Sequence, residues 1–353
     1  MTHTERIRNM VEHKPVDRVG ISGWVHMPMV DRNVKDFTKA TIDFTDNMNW
    51  DFIKLMSNGH YFAEAYGAQI RWRNDPKEWS GEILRYPVRS AQDAANLPVL
   101  DPKENPVFQR ELQIAKNVTQ HYAGSVPVIA TIFTPLTWLQ EMSSSCQPTP
   151  LLKMISEDKK AVRKALDALL ETNLKLLDQF IEAGVDGIFL STQFGTRNLL
   201  SKELREELCH QYDRALLEHI KDRTWFNMLH VHYCEDLVME EYMDYPVQAF
   251  NWENCTACPD MSRLTSIRQV REMTDKIIIG GIDQHNDFHD PNNDRELIKE
   301  RLRRRLLRLC RSGGRKTGAS PFGRFAGSRF SGRKNVCGQK SSGRPAFCQC
   351  PTL

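Results

Sequence analysis

The feature that most constrains this chain is an alternation. Seven short apolar runs recur, at 19–24, 51–56, 126–133, 185–192, 224–232, 249–253 and 276–283, and each is followed by at least one helix-forming stretch. The run at 126–133 is apolar almost throughout, as a strand covered on both faces should be. Between the runs, 4–13, 36–49, 106–122 and 201–221 read as helices. The last has Ser201 as its N-cap and carries Leu204, Leu208, Tyr212 and Leu216 on one stripe. A longer helix is expected from Ser156, an N-cap with Glu157 and Asp158 in the first turn, to about Ala183, with Gly184 ending it. The stretch 71–102 reads as irregular except for a short helix near 90–96. Such alternation predicts an α/β chain with a parallel sheet, and seven strands favour a (β/α)8 TIM barrel over an open doubly wound sheet. No Gly-x-Gly-x-x-Gly and no P-loop follows any of the runs, which argues against a dinucleotide fold or a nucleotide hydrolase.

The barrel needs an eighth strand soon after the charged helix expected at 294–309, and no apolar run supplies one. Residues 308–353 hold ten of the 48 Lys and Arg and no Asp or Glu, so the other 307 residues carry 38 basic and 45 acidic groups, net −7. Gly, Ser, Arg and Lys with isolated Phe bury too little surface to offset the entropy of ordering. The expectation is a barrel domain at 1–309 that lacks a proper eighth strand, followed at 310–353 by a basic, disordered tail. A frameshift near 306–309 would produce so abrupt a change, and would leave an open, poorly soluble and inactive barrel. A nucleic-acid-binding tail is the weaker reading of the same composition.

The 353 residues contain nine cysteines, and no apolar run reaches the roughly 18 residues that span a bilayer. The opening Met1-Thr2-His3-Thr4-Glu5-Arg6 is polar, without a signal-peptide core. A cytoplasmic protein with free or metal-bound thiols is expected, with neither membrane nor nucleic acid as partner.

In a TIM barrel the active site lies at the C-terminal ends of the strands. Those ends offer Trp24 and His26, then Ser57, Asn58 and His60, then Thr134. Ser191, Thr192 and Gln193 follow, then His230, His232 and Cys234, then Asn251, Trp252 and Glu253, and last Asp283 and His285. Taken singly, each is explained as a loop residue capping the next helix; together they make a polar, His-rich mouth. Leu229-His230-Val231-His232-Tyr233-Cys234-Glu235 puts His230, His232 and Cys234 on one face by strand alternation. Mixed imidazole and thiolate ligands suit zinc, with His230 and His232 as the pair and Cys234 or Glu253 as third ligand. His26, His60 and Asp283 are the acid–base candidates. Trp24, Asn58, Gln193, Asn251 and Trp252 are the candidates for holding a small-molecule substrate. The lone Cys255-Thr256-Ala257-Cys258 lacks a second pair and reads as a loop feature.

At these residues the chain resembles the uroporphyrinogen decarboxylase superfamily, which includes the corrinoid and methylcobalamin:coenzyme M methyltransferases. The resemblance covers 4–309. It rests on Lys14-Pro15-Val16-Asp17-Arg18-Val19, Trp50-Asp51-Phe52-Ile53-Lys54-Leu55, Glu182-Ala183-Gly184-Val185-Asp186-Gly187, Leu229-His230-Val231-His232, Tyr245-Pro246-Val247-Gln248-Ala249-Phe250-Asn251-Trp252 and Ile279-Gly280-Gly281-Ile282-Asp283. It implies a TIM barrel and splits by motif. True decarboxylases carry an arginine-rich segment for the substrate's carboxylates, where this chain reads Gly23-Trp24-Val25-His26-Met27-Pro28. The thiol methyltransferases bind zinc through His-x-Cys on strand five and a distant Cys. Here His230 matches the His, His232 stands at the Cys, and the distant Cys has no counterpart. The resemblance thus implies metal-assisted methyl transfer from a corrinoid or other methylated donor, with a corrinoid protein as partner. Cofactor-free decarboxylation, with an Asp or His protonating a carbanion-like intermediate, is the alternative. A corrinoid-binding partner protein without turnover is a third reading.

Overall fold

The computed structural model describes residues 1–72, 81–145, 147–233, 235–254, 260–280 and the backbone of 325–326. Its strands in chain order are β1 (Ile53–Leu55), β2 (Gln69–Arg71), β3 (Glu82–Arg85), β4 (Val128–Phe133), β5 (Gly187–Thr192), β6 (Met228–Val231), β7 (Ala249–Trp252), β8 (Ile277–Ile279) and β9 (Phe325–Ala326). One sheet takes the order β1-β4-β5-β6-β7-β8-β9, all parallel, while β2 and β3 pair as a separate antiparallel hairpin. The helices are α1 (His3–Val11), α2 (Val34–Met48), α3 (Tyr61–Ala65), α4 (Ala91–Ala95), α5 (Pro106–Tyr122), α6 (Pro135–Ser144), α7 (Thr149–Glu157), α8 (Lys159–Glu182), α9 (Lys202–Arg205), α10 (Gln211–Ile220) and α11 (Ile267–Met273). A π-helical turn, Glu206–His210, joins α9 to α10. Among the described residues no helix is long and apolar enough to cross a membrane.

Strand alternation sorts the sheet's side chains into two cores. Ile53, Leu55, Val128, Ala130, Ile132, Ile188, Leu190, Leu229, Val231, Phe250 and Ile278 face outward into the layer shared with the helices. Phe52, Ile129, Phe189, Met228, Ala249, Ile277 and Ile279 form an inner core, joined by Ile7 and Met10 of α1. The register Ser191↔His230↔Asn251 puts three polar residues side by side near the C-terminal edge.

At the other end a polar clamp holds α1 in place. Asp51, wholly buried, accepts from Arg6 Nη1 at 2.7 Å, from Arg18 through both guanidinium nitrogens, and from the Ile21 amide at 2.6 Å. Asp17 in turn receives Arg6 at 2.8 Å. Asp186 stitches neighbouring strands, accepting from the Val128 amide and from Trp225 Nε1. Gly184, at φ 91, supplies the left-handed stop of the preceding helix. At Gly187 a Cβ would lie 2.0 Å from the Phe226 carbonyl oxygen, so the strand contact there requires glycine.

Several expectations need correction. The run 19–24 is not a strand: only Ile21 bridges, its carbonyl accepting from the Asp51 amide at 2.7 Å. The stretch 71–102 contains the β3 arm of a hairpin, which its polar, weakly alternating sequence hides. Ser156 does not cap the long helix: its hydroxyl donates back to Lys153 O within α7, and Asp158 caps α8 by accepting from the Ala161 amide at 3.0 Å. No proper eighth strand was expected, and among the described residues the sheet ends on a two-residue pairing, Ile278↔Phe325 and Ile279↔Ala326. The helix expected at 294–309 lies outside the described residues.

Candidate active site

The candidate site, or chamber, is the region above the inner core where the C-terminal halves of β1 and β5 to β7 meet the extended segment 21–26. Its most ordered feature is a pair of imidazoles. His230, the third residue of β6, stacks on Phe189 of β5 with centroids 5.0 Å apart and 25° between planes. His230 Nδ1 lies 2.6 Å from Asn251 Oδ1. The Asn251 amide nitrogen donates to Ile279 O at 3.0 Å, which turns its oxygen toward the ring. An amide oxygen only accepts, so His230 Nδ1 carries the proton and Nε2 presents a lone pair. That lone pair accepts a hydrogen bond from His232 Nδ1 at 3.4 Å. His232, one residue past the strand, is fixed by its amide donating to Thr192 O at 2.9 Å.

Both rings are neutral at ordinary pH. Burial and the charges of His232 and Lys54 take His230 down to about 3, with the Asn251 hydrogen bond opposing. Burial and then Lys54 take His232 to about 4. His26 falls to about 3 by burial, Lys54 and His60. A second proton is excluded from all three imidazoles, so each keeps one N–H and one lone pair and none is a cation.

Lys54, the middle residue of β1, was not among the candidates read from the sequence. It is 6% exposed. Its ammonium stands 4.4 Å from the Phe189 ring centroid and 5.6 Å from that of Trp24, which meets Phe189 edge-on at 5.6 Å. Burial alone lowers this amine to about 7. The signal was present: a lysine between Ile53 and Leu55, in phase with the inward-facing Phe52.

Other candidates lie away from the imidazole pair. Asn58 ties the rim together, its oxygen accepting from the His60 amide at 2.8 Å and its nitrogen donating to Asp31 at 3.4 Å. His60 Nε2 is 2.9 Å from Gly81 O. Asp31, also overlooked, is 1% exposed and raised by burial to about 6. Gln193 turns into α6: its Nε2 donates to Glu141 Oε1 at 2.8 Å and its amide to Thr137 Oγ1 at 2.9 Å. Burial raises Glu141 to about 7. Trp252 faces the outer core, with Nε1 donating to Thr265 O at 2.8 Å, because adjacent strand residues point to opposite faces. Glu253 follows β7 and is half-buried. Cys234, Asp283 and His285 lie outside the described residues. Among the described residues no group of three His, Cys, Asp or Glu side chains converges as a metal site.

The uroporphyrinogen decarboxylase (URO-D) family model matches residues 5–306. The chain belongs to that family. A uroporphyrinogen decarboxylase of Pseudoalteromonas atlantica is 26% identical to it over 145 residues, 40% of each chain. One from Hamiltonella defensa is 27% identical over 118 residues, 33% of each. The chain thus aligns with well under half the length of these relatives. Among solved structures, a methyltransferase from Methanosarcina mazei superposes with a TM-score of 0.70 at 15% identity, covering 93% of this chain and 92% of that one. A B12-independent methionine synthase from Shewanella sp. W3-18-1 gives 0.50 at 10% identity over 88% of each. At such identities the likeness is one of fold: the URO-D sheet is the curled parallel half of a barrel, and its strand ends carry the chamber.

Proposed function

We propose that this URO-D family enzyme performs metal-assisted methyl transfer from a corrinoid or other small methylated donor to a thiol-type acceptor, in the chamber around His230 and His232. The spacing of the imidazole pair carries the reading. Two nitrogens bound at about 2.05 Å to a tetrahedral zinc stand about 3.3–3.4 Å apart, and His230 Nε2 and His232 Nδ1 are separated by 3.4 Å. The Asn251 contact that fixes the His230 tautomer is the outer-shell support that a metal-binding imidazole normally has. Their depressed basicity keeps both rings neutral at neutral pH, and metal binding at His232 Nδ1 would move that ring's one proton to Nε2. His230 and His232 would hold the ion, with Cys234 as the expected third ligand. Zinc in this position would keep an acceptor thiol as thiolate, the nucleophilic form. Phe189 and Trp24 wall the chamber and limit water at the acceptor. A corrinoid protein as delivery partner and a cytoplasmic location belong to the same reading. Purified protein should contain zinc in near-equimolar amount and lose it on His230→Ala; zinc-free wild type, or unchanged content in the variant, rejects the proposal.

Cofactor-free decarboxylation is the second reading. It is supported by three neutral imidazoles, His26, His230 and His232, around one chamber, and by the relatives' names. In it His26, with His60 or Asp283, handles the proton. Turnover of uroporphyrinogen by metal-free protein would establish it and displace the first.

A further inference from the structure

Lys54 has no task in either reading, yet it occupies a position that the fold would fill more easily with an aliphatic side chain. Barrel interiors are packed in layers dominated by Val, Ile and Leu. Lys54 stands in such a layer, 6% exposed, beside the inner-core residues Phe52 and Ile129. A buried ammonium is costly unless it is paired. Among the described residues no carboxylate forms an ion pair with it; its hydrogen-bond contact is the Met56 sulfur. The nearest acid in sequence, Asp51, is committed to Arg6 and Arg18 at the opposite end of the strand. What stabilises the amine within the chain is the faces of Phe189 and Trp24, and cation–π contact offsets only part of the lost hydration.

Among the described residues the site holds a cation and no anion, and such a site is complementary to an anion. The number of charges is also set. The segment lining the first strand's end, Gly23-Trp24-Val25-His26-Met27-Pro28, contributes no arginine, and the walls around the amine are aromatic. Among the described residues a multiply charged ligand would find one partner and several apolar surfaces; a monoanion is matched. We propose that Lys54 is the counter-ion for a single carboxylate of the substrate, docked against the Trp24 and Phe189 rings beside the imidazole pair. This rests on the reading of the chamber as the substrate site, and it limits the acceptor or decarboxylation substrate to compounds with one carboxylate near the reacting group.

Propionate and its neutral counterpart propionamide are the probes. Their binding to the full chain is followed by NMR line shifts at neutral pH, with and without a chelator, in wild type, Lys54→Arg and whichever of Lys54→Met and Lys54→Gln keeps the wild-type circular dichroism. Propionate should bind wild type saturably, at least about tenfold tighter than propionamide. It should bind Lys54→Arg within about threefold of wild type and the uncharged variant at least about tenfold more weakly, with or without chelator. Absence of saturable binding to wild type overturns the proposal, as does binding within twofold in the uncharged variant. Binding that vanishes on chelation also overturns it, in favour of a carboxylate held by the metal. Zinc content of His230→Ala is measured in parallel, so loss of the metal reading with propionate binding intact separates the two claims.

Discussion

Replacing His230 by Gln should flatten the acid side of the stability curve by a calculable amount. In the unfolded chain a histidine titrates near 6.5, and in the folded chain His230 is taken down to about 3. A depressed folded pKa means that the unfolded state binds the extra proton, so stability is present above about 6.5 and is lost as pH falls toward 3. From pH 7.5 to 5.0 the relevant fall is about 1.5 units below 6.5, which at about 1.4 kcal/mol per unit is about 2 kcal/mol for this one residue. The figure requires only that the folded value lie well below 5. His232, at about 4, and His26, at about 3, contribute in the same direction. Glu141 and Asp213, raised by burial to about 7 and about 8, act with opposite sign, favouring the fold as pH falls. Both proteins share these terms, so they cancel in the difference. The assay is urea unfolding of wild type and His230→Gln at pH 7.5 and 5.0 with chelator present. The wild type should lose about 2 kcal/mol more than the variant over that interval. A difference under about 0.5 kcal/mol would refute the claim that the chamber holds His230 neutral.

Other outcomes follow from the same contacts. Asn251→Ala removes the acceptor that fixes the His230 tautomer and should weaken zinc binding about 10–100-fold, read by chelator competition, and cost about 1–3 kcal/mol of stability through the unpaired Ile279 carbonyl. Asp51→Ala leaves the buried Arg6 without its inner partner, so a loss of about 3–5 kcal/mol is expected in denaturant unfolding. Gly187→Ala puts a methyl group against the Phe226 carbonyl and should cost at least about 2 kcal/mol or prevent folding, read by circular dichroism and melting. Truncation after Leu309 should leave zinc content unchanged if no cysteine of 310–353 is a ligand; loss of zinc would assign one.

Much of the fold was legible because strand cores and caps act locally. The apolar runs at 126–133 and 185–192 became β4 and β5, and Ser201 caps its helix by accepting from the Leu204 amide. The shared motifs proved to be largely architectural: Asp17 and Arg18 build the clamp that seats α1, and Asp186 ties β4 to the segment before β6. What failed depended on parity and competition. Trp252 and Asn251 are adjacent and were given one role, yet strand alternation sends them to opposite faces. Gln193 sits at a strand end but finds Glu141 and Thr137 within the fold, and tertiary partners are invisible in sequence. Ser156 and Asp158 both suit a cap, and the break between α7 and α8 falls at the second. Lys54 sits in an apolar run, and the rings of Phe189 and Trp24 that mark its position are brought to it by the fold, not by the sequence.

The central claim is a two-imidazole metal centre in the barrel mouth, and zinc-edge X-ray absorption on the purified chain tests it most directly. The account predicts bound zinc with nitrogen scatterers at about 2.0–2.1 Å, two of which come from imidazoles and are lost in the His230→Ala, His232→Ala double variant. Zinc whose coordination shell is unchanged in that variant, or a wild-type protein that binds none, would contradict it.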